Sequence, residues 1–129
     1  MKTSRIIYRI GFGLISVQMF IMGIMQLLSS PVIMNNMIHF QLPGYFIKMI
    51  AIAKIVGAIA LLQTWNANLV RFAFYGFVML LFGAIFMHIA VEDPIVMLLP
   101  ALISLILLIV CETMRDVEIA NEEYEHQDA

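Results

Sequence analysis

Lys54, His88, Glu92 and Asp93 are ionisable side chains set inside or beside long apolar runs, and chemistry is most readily expected of them. An amine, an imidazole and two carboxylates can bind a polar head group and pass protons. His88 precedes Glu92 by four positions, the spacing that puts two side chains on one helix face. A carboxylate there would steady the imidazole tautomer and suit proton transfer at a membrane surface. The plainer alternative makes His88 an amphipathic anchor. Lys54 either binds a ligand or ties helices together through Gln18 or an acid. His39 adds a second imidazole and raises the question of a metal or haem. With one histidine in a loop and one in a helix, the spacing matches no ligand motif, so no metal is assigned. No catalytic residue is assigned either, because no nucleophile–base pair or nucleotide-binding loop is visible.

Four apolar runs must position these residues. The first, Ile10 to Leu28, carries no charge; its helix begins near Ile6 and is stopped by Ser29, Ser30 and Pro31. The second runs from Tyr45 to Gln63 and is interrupted by Lys48 and Lys54. The third ends at Val91 and the fourth begins at Ile95. The spacing predicts spans over residues 6–28, 45–63, 70–91 and 95–112, each long enough to cross the hydrocarbon core. Pro100 lies inside the fourth and should kink it, freeing a carbonyl near residue 96. Short links make successive helices antiparallel neighbours. The longer link from Ser29 to Gly44 suits a short helix or re-entrant piece on the outer end of the bundle. Trp65, Tyr8 and Tyr45 fit interfacial belts, and Gly76 with Gly83 marks a helix contact.

Counting the helical rise from the outer end places Lys54 roughly 15 Å deep, level with Gln18 and Ser104. Gln26, Lys48, His88, Glu92 and Asp93 form a shallower layer, with His39 above them. A charged lysine at the bilayer centre costs about 2.5–3.5 kcal/mol, so Lys54 is expected to point into the bundle. Polarity in the membrane is expected on this side only, and the eleven methionines are assigned to packing.

Composition supports the membrane reading. Of 129 residues, 63% are hydrophobic and 12% charged, too apolar for a small soluble domain to hide. A net charge of −2 with no basic stripe sets nucleic acid aside. Cys111 is the only cysteine, which excludes an internal disulfide. Lys2, Arg5, Arg9, Arg71 and Arg115 all fall on one side of a four-span arrangement, so both termini are expected in the cytoplasm. The start reads as a retained signal-anchor. The fold class is therefore all-α: a membrane-spanning bundle over residues 1–115, up-down-up-down. An acidic cytoplasmic tail follows over 116–129, with no balancing base of its own after Arg115.

The segments Leu42-Pro43-Gly44-Tyr45-Phe46, Lys54-Ile55-Val56-Gly57-Ala58-Ile59-Ala60-Leu61-Leu62 and Arg71-Phe72-Ala73-Phe74-Tyr75-Gly76-Phe77, followed by Gly83-Ala84, His88 and Asp93, follow a recognisable order. Over residues 8 to 115 the chain resembles the DoxX-like family of small four-helix membrane proteins. It departs from the usual family pattern at Pro43-Gly44-Tyr45 and at Ile50-Ala51-Ile52-Ala53. The resemblance implies a place in the bacterial inner membrane. It also implies kinship with subunits of quinone-linked oxidoreductases, with oxidative-stress complexes and with a receptor-assembly chaperone.

Three readings follow. The first is an accessory subunit whose outer polar cleft holds a hydrophobic molecule such as a quinone, with Lys54, His88, Asp93, Glu92, Gln18, Gln26, Lys48 and His39 as candidate contacts. It would be no enzyme alone, at most a subunit of a quinone-linked oxidoreductase. The second is an assembly or chaperone subunit with a protein partner or a second copy of itself. The third is a small multidrug-type transporter, which would need an acid in the first span that residues 6–28 lack.

Overall fold

A computed structural model describes residues 2–128. It is all-helical: α1 (Lys2–Leu27), α2 (Pro31–His39), α3 (Gly44–Leu62), α4 (Ala67–Ala90) and α5 (Ile95–Asp128). The four longer helices are each long and apolar enough to cross a membrane. At most 39% of the most apolar stretch of any of them is buried inside the protein, so most of that surface faces outward to lipid. The protein is an integral membrane protein.

The helices pack in a ring, α1 against α3 and α5, and α4 against α3 and α5. Its core runs through Phe12, Ile15, Met19, Ala58, Leu61, Phe77 and Leu108. Close approach of α1 to α3 depends on Gly23, where a Cβ would come within 3.0 Å of the Ala51 carbonyl oxygen. The expected contact at Gly76 and Gly83 is absent. A Cβ at either position meets nothing within 4 Å, and both glycines are exposed. Tyr8, expected at an interface, is buried beside Phe12, whereas Trp65 and Tyr45 are exposed.

Three helices, α1, α2 and α4, end in the same way. Each has a non-glycine residue with a left-handed backbone one position past its cap: Ser29, Gln41 and Glu92, all at φ 58°. At each end this residue donates to a carbonyl three back and the next residue to one five back. The pairs are Ser29 to Gln26 and Ser30 to Met25, Gln41 to Ile38 and Leu42 to Met37, and Glu92 to Ile89 and Asp93 to His88. This is the Schellman arrangement, which satisfies carbonyls that a helix end would otherwise orphan. The link from Ser29 to Gly44 contains the expected short helix as α2, with Pro31 in its first turn.

The acidic segment continues α5 as helix to Asp128. Its balancing bases come from other helices: Arg5 of α1 pairs with Glu118 and Glu122, and Arg71 of α4 with Asp116. Near them, Arg115 and Glu112 form a buried two-pronged pair, at 3.0 and 2.8 Å. These residues form a second polar layer at the end of the bundle where α1 begins. Sequence order hides this second polar layer, because its members come from α1, α4 and α5.

Candidate functional site

At the end of the bundle where α2 sits, a cavity of about 560 Å³ lies between α1, α2, α4 and α5 and reaches Lys54 of α3. Gln18, His39, Lys54, His88, Asp93 and Ser104 all line it. With Asn36 of α2, seven polar residues from five separate stretches of sequence thus meet around one space.

The helix-end motif of α4 builds its rim. Donation by the Asp93 amide to the His88 carbonyl turns the chain back over the last turn. The Asp93 side chain then lies against the His88 ring, with Oδ2 2.7 Å from Nδ1. His39, the last residue of α2, reaches the other carboxylate oxygen, with Nε2 2.9 Å from Oδ1. An ionised carboxylate only accepts, so both imidazoles donate to it. Those two hydrogen bonds, His88 first and His39 second, hold the Asp93 carboxyl below the ordinary value of 3.8. Phe40 stands edge-on to the His88 ring, with centroids 4.8 Å apart. The partner of His88 is therefore Asp93 and not Glu92. Helix α4 ends at Ala90, so Glu92 falls in the left-handed turn, exposed, instead of one helical turn beyond His88.

Deeper in, Lys54 is 4% exposed and donates to the Gln26 side-chain oxygen at 3.0 Å. Gln26, fully buried, uses its amide nitrogen on the Ile47 carbonyl at 2.7 Å. Both ends of the Gln26 amide are thereby engaged and the lysine is held at a fixed point. Among the described residues Gln26 is the one hydrogen-bond partner of Lys54, so the amine keeps N–H capacity for something else. The sequence offered Gln18 or an acid as the tie. Neither holds the lysine, and Gln18 lines the cavity instead.

Other candidates fall outside. Lys48 is exposed and lines neither of the cavities that reach Lys54. Gln26 supports the site without lining it. Sequence reading missed Asn36 and Phe40 of α2, and Met19, Met22, Met37 and Met97, which supply adaptable wall. It also missed the use of Pro100. Helix α5 runs through this proline, which cannot donate to the Val96 carbonyl, and both residues line the cavity. Among the described residues, no group of three or more His, Cys, Asp and Glu side chains is placed to hold a metal ion.

The space is large enough for a ring-sized organic head. It offers donors from Lys54, a clamped carboxylate at the rim, and an apolar wall between them.

A family model described as DoxX-like matches residues 10–110, most of the chain and all the residues around this cavity. No curated protein and no solved structure matches.

Proposed function

The chain belongs to the DoxX-like family, and on that premise we propose that it is a small binding subunit of the bacterial inner membrane. Its cavity takes a hydrophobic molecule with a hydrogen-bonding head, such as a quinone. The observation that carries this reading is Lys54: a buried amine, pinned by Gln26, with N–H capacity turned over to a 560 Å³ space. Burying a charged or strongly polar group is costly. Yet a lysine needed only to join helices would find its partners within the protein.

In this reading the head accepts from Lys54, while Asp93 and its two histidines close the rim. Any oxidation or reduction of the ligand is then carried out by a partner subunit. The helices run up-down-up-down, and the arginines Arg5, Arg71 and Arg115 put both termini in the cytoplasm. The cavity then faces the outer leaflet.

Purification of wild type, Lys54→Met and His88→Ala in mild detergent, with mass spectrometry of what stays bound, tests the proposal. A quinone or isoprenoid retained by wild type and lost from Lys54→Met supports it. An empty cavity with a stoichiometric protein partner transfers the assignment to an assembly subunit. Ordinary lipid in all three samples reduces the polar layer to scaffolding.

A further inference from the structure

A second cavity, of about 440 Å³, lies between α3 and α4 under the end of α2. Among the described residues, Lys54 is the only polar one on its wall; the rest includes Phe40, Phe46, Ile50, Met79 and Gly83. Both cavities share Lys54, Met37, Phe40, Leu80 and Ala84, so they are neighbouring chambers with the lysine between them. Met79 and Phe86 on its wall are 74% and 68% exposed, which puts the mouth on the lipid-facing side of the bundle.

We infer that the ligand is an amphiphile that reaches the site from within the bilayer: its apolar tail lies in the α3–α4 chamber and its acceptor-bearing head meets Lys54. This rests on the reading of the larger cavity as a ligand site and adds the shape and route of the ligand. Three observations carry it. Among the described residues lining the smaller chamber, Lys54 has the one polar side chain to offer water, so an apolar chain fills the space better than solvent does. The lysine offers donors and no acceptor as an ammonium, which requires a carbonyl, carboxylate or phosphate oxygen on the head. Finally, Gly83 leaves the chamber open where a large side chain would fill it. A Cβ there meets open space, so the glycine is required neither by helix packing nor by a left-handed backbone.

The same feature supplies the test. A ring at position 83 projects into empty space and fills the tail chamber without displacing a helix. Binding of a decyl-substituted benzoquinone and of the same benzoquinone without its tail would be measured in lipid nanodiscs. The proteins are wild type, Gly83→Phe and Lys54→Met, with Gly83→Ala as a packing control. Expected is at least a tenfold loss of the tailed compound in Gly83→Phe with the tail-free one unchanged, and a loss of both in Lys54→Met. Equal affinity of the tailed compound for Gly83→Phe and wild type overturns the inference, as does an equal loss of both compounds. If wild type binds neither quinone, decanoate and acetate replace them. Decanoate binding that Gly83→Phe abolishes upholds the tail chamber and removes the quinone head. No binding of either tailed probe overturns the chamber and the ligand site together.

Discussion

The two ends of the bundle are both rich in polar side chains, and they are satisfied in opposite ways. Where the termini meet, charge is matched by charge across helices. Arg115 holds Glu112 with two hydrogen bonds, Arg5 meets Glu118 and Glu122, Arg71 meets Asp116, and the Ser4 hydroxyl donates to Glu118. At the α2 end, polar groups surround a space, and Lys54 spends one hydrogen bond within the protein. The lesson is that buried charge alone does not mark a site. A network whose members satisfy one another fixes which helices meet; a fixed donor facing a cavity keeps hydrogen-bonding capacity that the protein does not use.

Three substitutions sharpen the contrast. The largest effect belongs to the terminal end. Glu112→Ala leaves Arg115, 6% exposed, without its partner. Loss of one member of a buried pair costs about 3–5 kcal/mol. Thermal unfolding in detergent should show a large drop, largely reversed by the double replacement Glu112→Leu with Arg115→Met. Ligand retention at the opposite end should survive in the fraction that stays folded. An intact melting temperature in Glu112→Ala would break the contrast by making that network dispensable.

The next effect is a pH dependence at the α2 end. Because the Asp93 carboxyl is held below 3.8 when folded, its clamp contributes in full above that value. The contribution fades as pH falls through the lower folded value. The advantage of wild type over Asp93→Asn in unfolding temperature should therefore stay constant from about pH 6 to about pH 4, then shrink towards about pH 2.5. A difference that is flat over the whole range would show that the two histidines do not stabilise the carboxylate.

The smallest effect separates a turn from a site. Glu92→Gly relieves a left-handed backbone at a non-glycine residue, worth about 1 kcal/mol. The melting temperature should rise slightly with ligand retention unchanged. A loss of ligand in this variant would restore Glu92 to the site.

Much of this was legible in the chain. The four apolar runs, the short helix before Gly44 and the inward direction of Lys54 follow from composition, helical rise and the cost of charge in a membrane. That His88 and Asp93 share one polar layer follows from residue type and position. Their pairing does not, because it depends on where α4 stops. A helix carried one turn further puts Glu92 on the His88 face, whereas a left-handed residue at Glu92 brings Asp93 there instead. No glycine announces that turn, so sequence gave no sign of it. The ionic layer at the termini was missed for a related reason: its pairs between helices join residues distant in sequence, 45 positions apart for Arg71 and Asp116 and 117 for Arg5 and Glu122. Gly83 was read as a packing glycine since small residues on a membrane helix usually mean contact, and only the geometry shows it bordering open space.

Helix α5 has 34 residues, a rod of about 51 Å. A hydrocarbon core of about 30 Å uses little more than half of it. About 20 Å of stiff helix therefore stands beyond the apolar slab, braced at its base by Arg5 and Arg71. Because the helix is continuous, the azimuth of every acidic side chain on it is set by the rotation of Val96 and Pro100 at the cavity wall. The acidic side chains beyond the slab are thus carried at a fixed height and a fixed bearing relative to the cavity.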